Sequence, residues 1–152
     1  MKVEGETLVR APFDEVWDSL MDPDRLKHIL PGCEQLRQVD ATHFEATLAE
    51  KVHFMTVRAK ATCEPLEAVK PSRLVASMIG EATSLAGGFR TILTVELWEQ
   101  AAATRVRYQL DATLLGRLAV LGQPIVRATT RRLTEEFAAN LADAVKASDT
   151  QA

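Results

Sequence analysis

The chain has 152 residues, 47% hydrophobic and 26% charged, with a formal net charge of -3. That length is one domain, and a domain of this size buries roughly 68–70% of the surface its unfolded chain exposes. The charge offers no basic surface for nucleic acid, no apolar run approaches the ~18 residues of a membrane span, and MKVEGETLVRAP carries glutamates where a signal peptide is apolar.

The expected location is therefore the cytoplasm. Cys33 and Cys63 fit a reducing compartment and make no disulfide framework. A single domain spanning 1–152 is expected, with a frayed polar tail over 147–152.

Residues 2–10 alternate in character and suit a first strand. APFDEVWDSL follows. Pro12 fits the first helical position, and Asp14 and Glu15 suit the positive end of the helix dipole. Phe13, Val16, Trp17 and Leu20 fall on one face. Asp22-Pro23 restarts a second short helix with a capping aspartate, and Leu26, Ile29 and Leu30 form its apolar side. Pro31-Gly32 ends it.

From Cys33 to Leu115 the period changes to two. Turn signals divide the stretch into strands at 35–39, 43–52, 54–64, 73–82, 89–99 and 104–115. Leu93, Val95 and Leu97 share one face, as do Val106, Tyr108, Leu110, Ala112 and Leu114. Such alternation marks an antiparallel sheet with one wet face. Residues 116–146 return to the helical period, with Val126, Leu133, Phe137, Leu141 and Ala144 on one side. Gly122 and Pro124 predict a kink or restart near Gln123.

A long helix with one apolar stripe must lie on the apolar face of a curved sheet. The expected class is α+β, with a seven-stranded antiparallel sheet around a long C-terminal helix and two short helices after strand 1. This is the helix-grip arrangement of START-like (SRPBCC, Bet v 1-like) proteins. The segments MKVEGE, APFDEVWDSLMDPDRL, LPGCEQL, HFEATL, GFRTILTVEL and LAVLG…RRLTEEFAANLADAV narrow this. In the same order, over nearly the whole chain, they resemble the CoxG family of carbon monoxide dehydrogenase subunits.

Few residues suggest chemistry. His28, Cys33, His43, His53 and Cys63 have no close ligand spacing, so no metal site is expected. G-x-G-x-x-G, P-loop and G-x-S-x-G patterns are absent, and neither a cofactor nor a catalytic residue is expected. A reactive thiol wants an electropositive setting. Cys33 has Glu34 beside it, so it reads as a small hydrophobe at the Pro-Gly corner, with His28 the argument against.

The expected ligand pocket lies between sheet and helix. The inward phase carries Phe44, Ala46, Leu48, Met55, Val57, Ala59 and Met78 from the first strands. Phe89, Leu93, Val95, Tyr108 and Leu110 come from the last two. Trp17 of the first helix and Leu121, Val126, Thr129, Thr130 and Leu133 of the last complete the expected lining. Such residues are also what a filled core would use. Small side chains at Ala46, Ala59, Ala61 and Ala112 favour a space that water or an apolar ligand occupies.

Glu50 continues the phase of Phe44, Ala46 and Leu48, where members of the resembled family usually carry an aliphatic residue. It faces the pocket mouth if the strand stays regular, or is solvated at a hairpin tip if the strand ends. Solvation is the commoner fate of a carboxylate. A buried Tyr108 needs a partner for its hydroxyl. The tips Lys51-Val52-His53-Phe54 and Ser84-Leu85-Ala86-Gly87-Gly88-Phe89 read as gates, as contacts for a membrane or partner protein, or as loops tucked onto the core. Arg117, Arg127, Arg131 and Arg132 read as a solvated basic face.

The resemblance implies an accessory protein serving a molybdenum-containing carbon monoxide dehydrogenase or a related molybdenum hydroxylase-type oxidoreductase. It implies carriage of a quinone-, isoprenoid- or fatty-acyl-like molecule, or attachment of the enzyme to the inner face of the membrane. Longer members extend past the last helix, and this chain stops at Ala152, so transient membrane contact is expected rather than a stable anchor. Two alternatives stand beside this. One is a small polyketide cyclase or aromatase, which needs a perturbed titratable group in the pocket, from Glu50, Tyr108 or His53. The other is an assembly factor with a filled core.

Overall fold

The computed structural model describes residues 1–52, 54–84 and 86–151, with side chains described through Val145. Strand β1 (Lys2–Val9) is followed by helices α1 (Phe13–Met21) and α2 (Pro23–Ile29). Strands β2 (Cys33–Gln38), β3 (Phe44–Val52), β4 (Met55–Val69), β5 (Arg73–Ala82), β6 (Gly87–Gln100) and β7 (Ala103–Gly116) come next. A 3-10 segment (Arg117–Leu121) leads into helix α3 (Gln123–Gln151). The strands form one antiparallel sheet in the order β1-β7-β6-β5-β4-β3-β2. This is the expected helix-grip class.

The order has a simple cause. Each strand from β2 to β6 pairs with the next strand in sequence, and β1 adds to β7. The two edge strands are thus neighbours in sequence. Helices α1 and α2 span the gap between them and close one end of the curved sheet.

Local signals explain the element ends. Asp22 caps α2, its carboxylate accepting from the Asp24 N–H at 3.0 Å, with Pro23 first in the helix. Pro12 is itself the N-cap of α1, one position earlier than expected, because its extended ψ of 147° keeps it outside the helix. At the far end Gly116 and Gly122 take φ of 62° and 90°. They bracket the 3-10 segment, so the long helix does not begin at Gly116 but restarts at Gln123, where the sequence places the break.

One end of the inward sheet face is filled. Val95, Leu97 and Val106 pack with Val16, Trp17 and Leu20 of α1, Ile29 of α2, and Phe137, Leu141 and Val145 of α3. Burying an aliphatic or aromatic side chain of this kind contributes about 1.5–3 kcal/mol. Two polar side chains inside are paired with backbone carbonyls. Thr104 Oγ1 donates to the Ala11 carbonyl at 2.8 Å, and Asn140 Nδ2 donates to the Ile29 carbonyl at 3.2 Å, which satisfies the end of α2. Trp17 and Val95, expected in the pocket, belong to this filled end instead, because α1 lies across β6 and β7 there and leaves no space.

Candidate functional site

Farther along the same face, the helix and the sheet separate around a cavity of about 290 Å³. Ligand sites in proteins occupy ~300–1,000 Å³, so this lies at the small end. An apolar cavity of about 150 Å³ already takes up a benzene ring.

The walls are built by alternation. Leu48, Glu50 and Val52 of β3 face inward, as do Val57, Ala59 and Cys63 of β4, Leu74, Ala76 and Met78 of β5, Phe89, Thr91 and Leu93 of β6, and Leu110, Ala112 and Leu114 of β7. The roof is Leu118 and Leu121 of the 3-10 segment with Val126, Thr129, Thr130, Leu133, Thr134 and Phe137 of α3. Leu20, Leu26, Leu30 and Pro31 close the side facing α1 and α2. Ser77 also reaches the cavity.

Thirteen of the expected residues line this space: Leu48, Glu50, Val57, Ala59, Met78, Phe89, Leu93, Leu110, Leu121, Val126, Thr129, Thr130 and Leu133. Six lie elsewhere. Besides Trp17 and Val95, Tyr108 sits at the filled end, its ring edge-on to Phe137 with centroids 6.4 Å apart. It covers the bare backbone of Gly5 across the β1–β7 pair. Burial, and then the nearby Glu135 charge, push its hydroxyl pKa up. Ala46 is fully buried between Leu36 and Ala61 on the neighbouring strands. Phe44 and Met55 share the inward phase but stand at the two ends of the β3–β4 hairpin, off the cavity. His53 and Leu85 lie outside the described residues.

Among the described residues, Glu50 is the one charged side chain of the lining. Strand β3 stays regular to Val52, so Glu50 keeps its inward phase and is not solvated at the tip. Its Oε1 accepts from Arg132 Nη1 at 3.1 Å. Arg132 also donates to Glu136 Oε1 at 3.0 Å and to the Lys51 carbonyl. Arg132, on the predicted solvated face, stays partly exposed but is engaged by a carboxylate far away in sequence. Glu50 Oε2 is buried without a partner. It lies against the Pro31-Gly32 corner, where a Cβ on Gly32 would be 3.0 Å from it and would overlap the Ala49 carbonyl. Gly32 takes φ of 69°, and its carbonyl accepts the Ala49 N–H at 2.9 Å. Only glycine fits that turn comfortably.

The cysteines are packing residues. Burial raises the Cys63 thiol pKa to about 11, and burial also raises that of Cys33. The Cys33 thiol donates to the Gln35 carbonyl at 3.3 Å. Among the described residues no cluster could hold a metal ion, and no helix is long and apolar enough to cross a membrane.

Thr83 and Ala86 are each held by a backbone hydrogen bond. Thr83 N–H donates to the Arg58 carbonyl at 2.7 Å, and Arg117 N–H donates to the Ala86 carbonyl at 3.0 Å. Phe54 and Val120 are 85% and 82% exposed. Each is within two positions of a cavity residue, Val52 and Leu121 respectively.

Among solved structures, a conserved protein from Geobacillus kaustophilus is similar at a TM-score of 0.88 with 21% identity, covering 97% of each chain. A Thermus thermophilus protein is similar at 0.73 with 20% identity, over 97% of this chain and 99% of that one. The di-domain ARO/CYC protein BexL is similar at 0.64 with 13% identity, over 95% of this chain and 50% of that one. At these identities the likeness speaks for the fold. No curated protein matches the sequence. The sequence profile of the CoxG carbon monoxide dehydrogenase subunits matches residues 5–146. The chain therefore belongs to the CoxG family of carbon monoxide dehydrogenase subunits.

Proposed function

We propose that this protein binds and carries an apolar small molecule of the quinone, isoprenoid or fatty-acyl type, as an accessory to a molybdenum-containing carbon monoxide dehydrogenase-type oxidoreductase. The observation that carries the reading is the cavity itself, apolar on nearly every side and large enough for a ring with a short stem. Burial of an apolar ligand there contributes roughly 25 cal/mol per Å² removed from water. The family membership supports the dehydrogenase as the partner. Phe54 and Val120, exposed at the cavity end, are suited to brief contact with a bilayer from which such a ligand is taken.

The cyclase-like alternative has one residue in its favour, Glu50. Its Oε1 is already engaged by Arg132, which holds the side chain in place at the wall. Tyr108, the second candidate, is off the cavity. The geometry therefore supports binding over proton transfer. Calorimetric titration with short-chain quinones and medium-chain fatty acids tests the reading. Saturable binding at one site per chain is expected, and no heat with any of them would overturn it.

A further inference from the structure

We infer that the cavity selects its ligand by length: it encloses an apolar chain of about a dozen carbon atoms, inserted tail first, and holds longer chains no more tightly. This rests on the apolar-ligand reading above and adds a size limit and an orientation. The volume of about 290 Å³ is close to twice the ~150 Å³ that takes up a benzene ring, and the same ratio gives about a dozen carbons. One side of the space is closed by protein. Leu20, Leu74 and Phe137 belong to the filled core and also line the cavity, and Leu26 and Leu93 pack against that core while lining it too. These residues are a floor. A chain that reaches them meets a packed interior, which admits more atoms only with strain.

The other side meets the surface. Thr129 lines the cavity and also an open surface depression formed with Lys51, Ala128 and Arg132. Lys51 and Ala128 are exposed, so this side is wet. Thr129 and Phe137 both lie on α3, about 12 Å apart along its axis at ~1.5 Å of rise per residue. That is the depth from mouth to floor. An amphiphile therefore leaves its polar end at Thr129, hydrated, and runs its chain towards Phe137. Each methylene enclosed on the way raises affinity about fourfold. Once the tail touches the floor, further methylenes stay outside the mouth in water and add nothing. The outer part of a palmitoyl chain or a long isoprenoid stem is left uncovered in this way, whereas a medium-length chain is covered completely.

A homologous series tests the limit: saturated straight-chain fatty acids from hexanoate to palmitate, each kept below its aggregation limit and titrated into the full chain. Affinity should rise about fourfold per methylene and level off near laurate. Two variants move the break in opposite directions. Ala76→Leu fills part of the space and should shift it to shorter acids. Phe137→Leu lowers the floor and should shift it to longer ones. Should Phe137→Leu fail to fold, the shift in Ala76→Leu decides alone. Affinity that climbs at the same slope through palmitate in the unaltered chain would overturn the inference and leave the apolar reading standing. A break that stays near laurate in the folded variants would overturn it as well, because the limit would then lie in the acids and not in these walls. Binding of no acid, with no binding of short-chain quinones, would sink both readings together.

Discussion

Phe89 of β6 lies over Gly80, its register partner on β5, so closely that a Cβ at Gly80 would overlap the ring. The ring can extend across the sheet to line the cavity only because that position is bare. Gly80→Val should push the ring into the cavity. We expect a loss of about 1–3 kcal/mol in stability, as overpacking causes, together with weaker ligand binding. Gly5→Val is the matched control. It would displace Tyr108 from the equivalent contact at the filled end and lower stability without narrowing the cavity. Thermal melts and titrations of the two variants separate these effects. Equal loss of binding in both would contradict the placement of Phe89.

Ala76 gives a complementary test. It lines the cavity from β5, paired with Leu93. Ala76→Leu adds apolar atoms where no atoms now stand. Ligand affinity should fall at least tenfold while the melting temperature holds or rises, because filling a void restores lost contacts. A marked fall in melting temperature would mean that the space is already occupied by protein.

The turn before β3 sets a pH dependence. His43 Nδ1 is 2.9 Å from Asp40 Oδ1, and its Nε2 is 2.8 Å from Glu64 Oε2 on β4. The hydrogen bond to Asp40 is the main cause raising the His43 pKa above its ordinary 6.5. Folding therefore takes up a proton. The stabilisation is complete below pH 6.5 and is lost as pH rises through the folded value. The Thr42 N–H and then His43 hold Asp40 down to about 2, so its share is present above the ordinary 3.8 and is lost as pH falls towards 2. Melts of the unaltered chain and His43→Gln at mildly acidic and mildly alkaline pH should show a gap that shrinks on the alkaline side. A gap that widens there would contradict the pairing.

Thiol chemistry should be slow. With Cys63 raised to about 11 by burial and Cys33 also raised, little thiolate exists near neutral pH. Labelling with a disulfide reagent should be far slower for the folded chain than for the chain in denaturant. A thiol that reacts at the free-cysteine rate in the native state would make Cys33 a candidate nucleophile again.

Period-two alternation makes the inward face legible in the sequence, which is why Leu48, Val57, Met78 and Leu110 are found where expected. Alternation carries no information on which stretch of that face is packed and which is open. Trp17, Val95 and Tyr108 fall on the packed side because α1 crosses the sheet there, a tertiary fact. Leu26, Leu30 and Pro31 escape the expected lining for a related reason: their helical spacing marks a buried side but not what that side faces. Arg132 reads with its basic neighbours because charge runs are usually solvated. Its bond to Glu50 spans 82 residues, and no local pattern signals it. Glu50 itself is visible as a carboxylate in an apolar phase, and regularity of β3 up to Val52 decides its direction.

The most direct measurement of the central claim is mass spectrometry of the purified protein, first native and then after organic extraction. We predict an added mass near one per chain that matches a quinone, isoprenoid or fatty-acyl compound and disappears in Ala76→Leu. A clean protein mass that persists after incubation with short-chain quinones and fatty acids would contradict carriage and favour a ligand-free assembly factor.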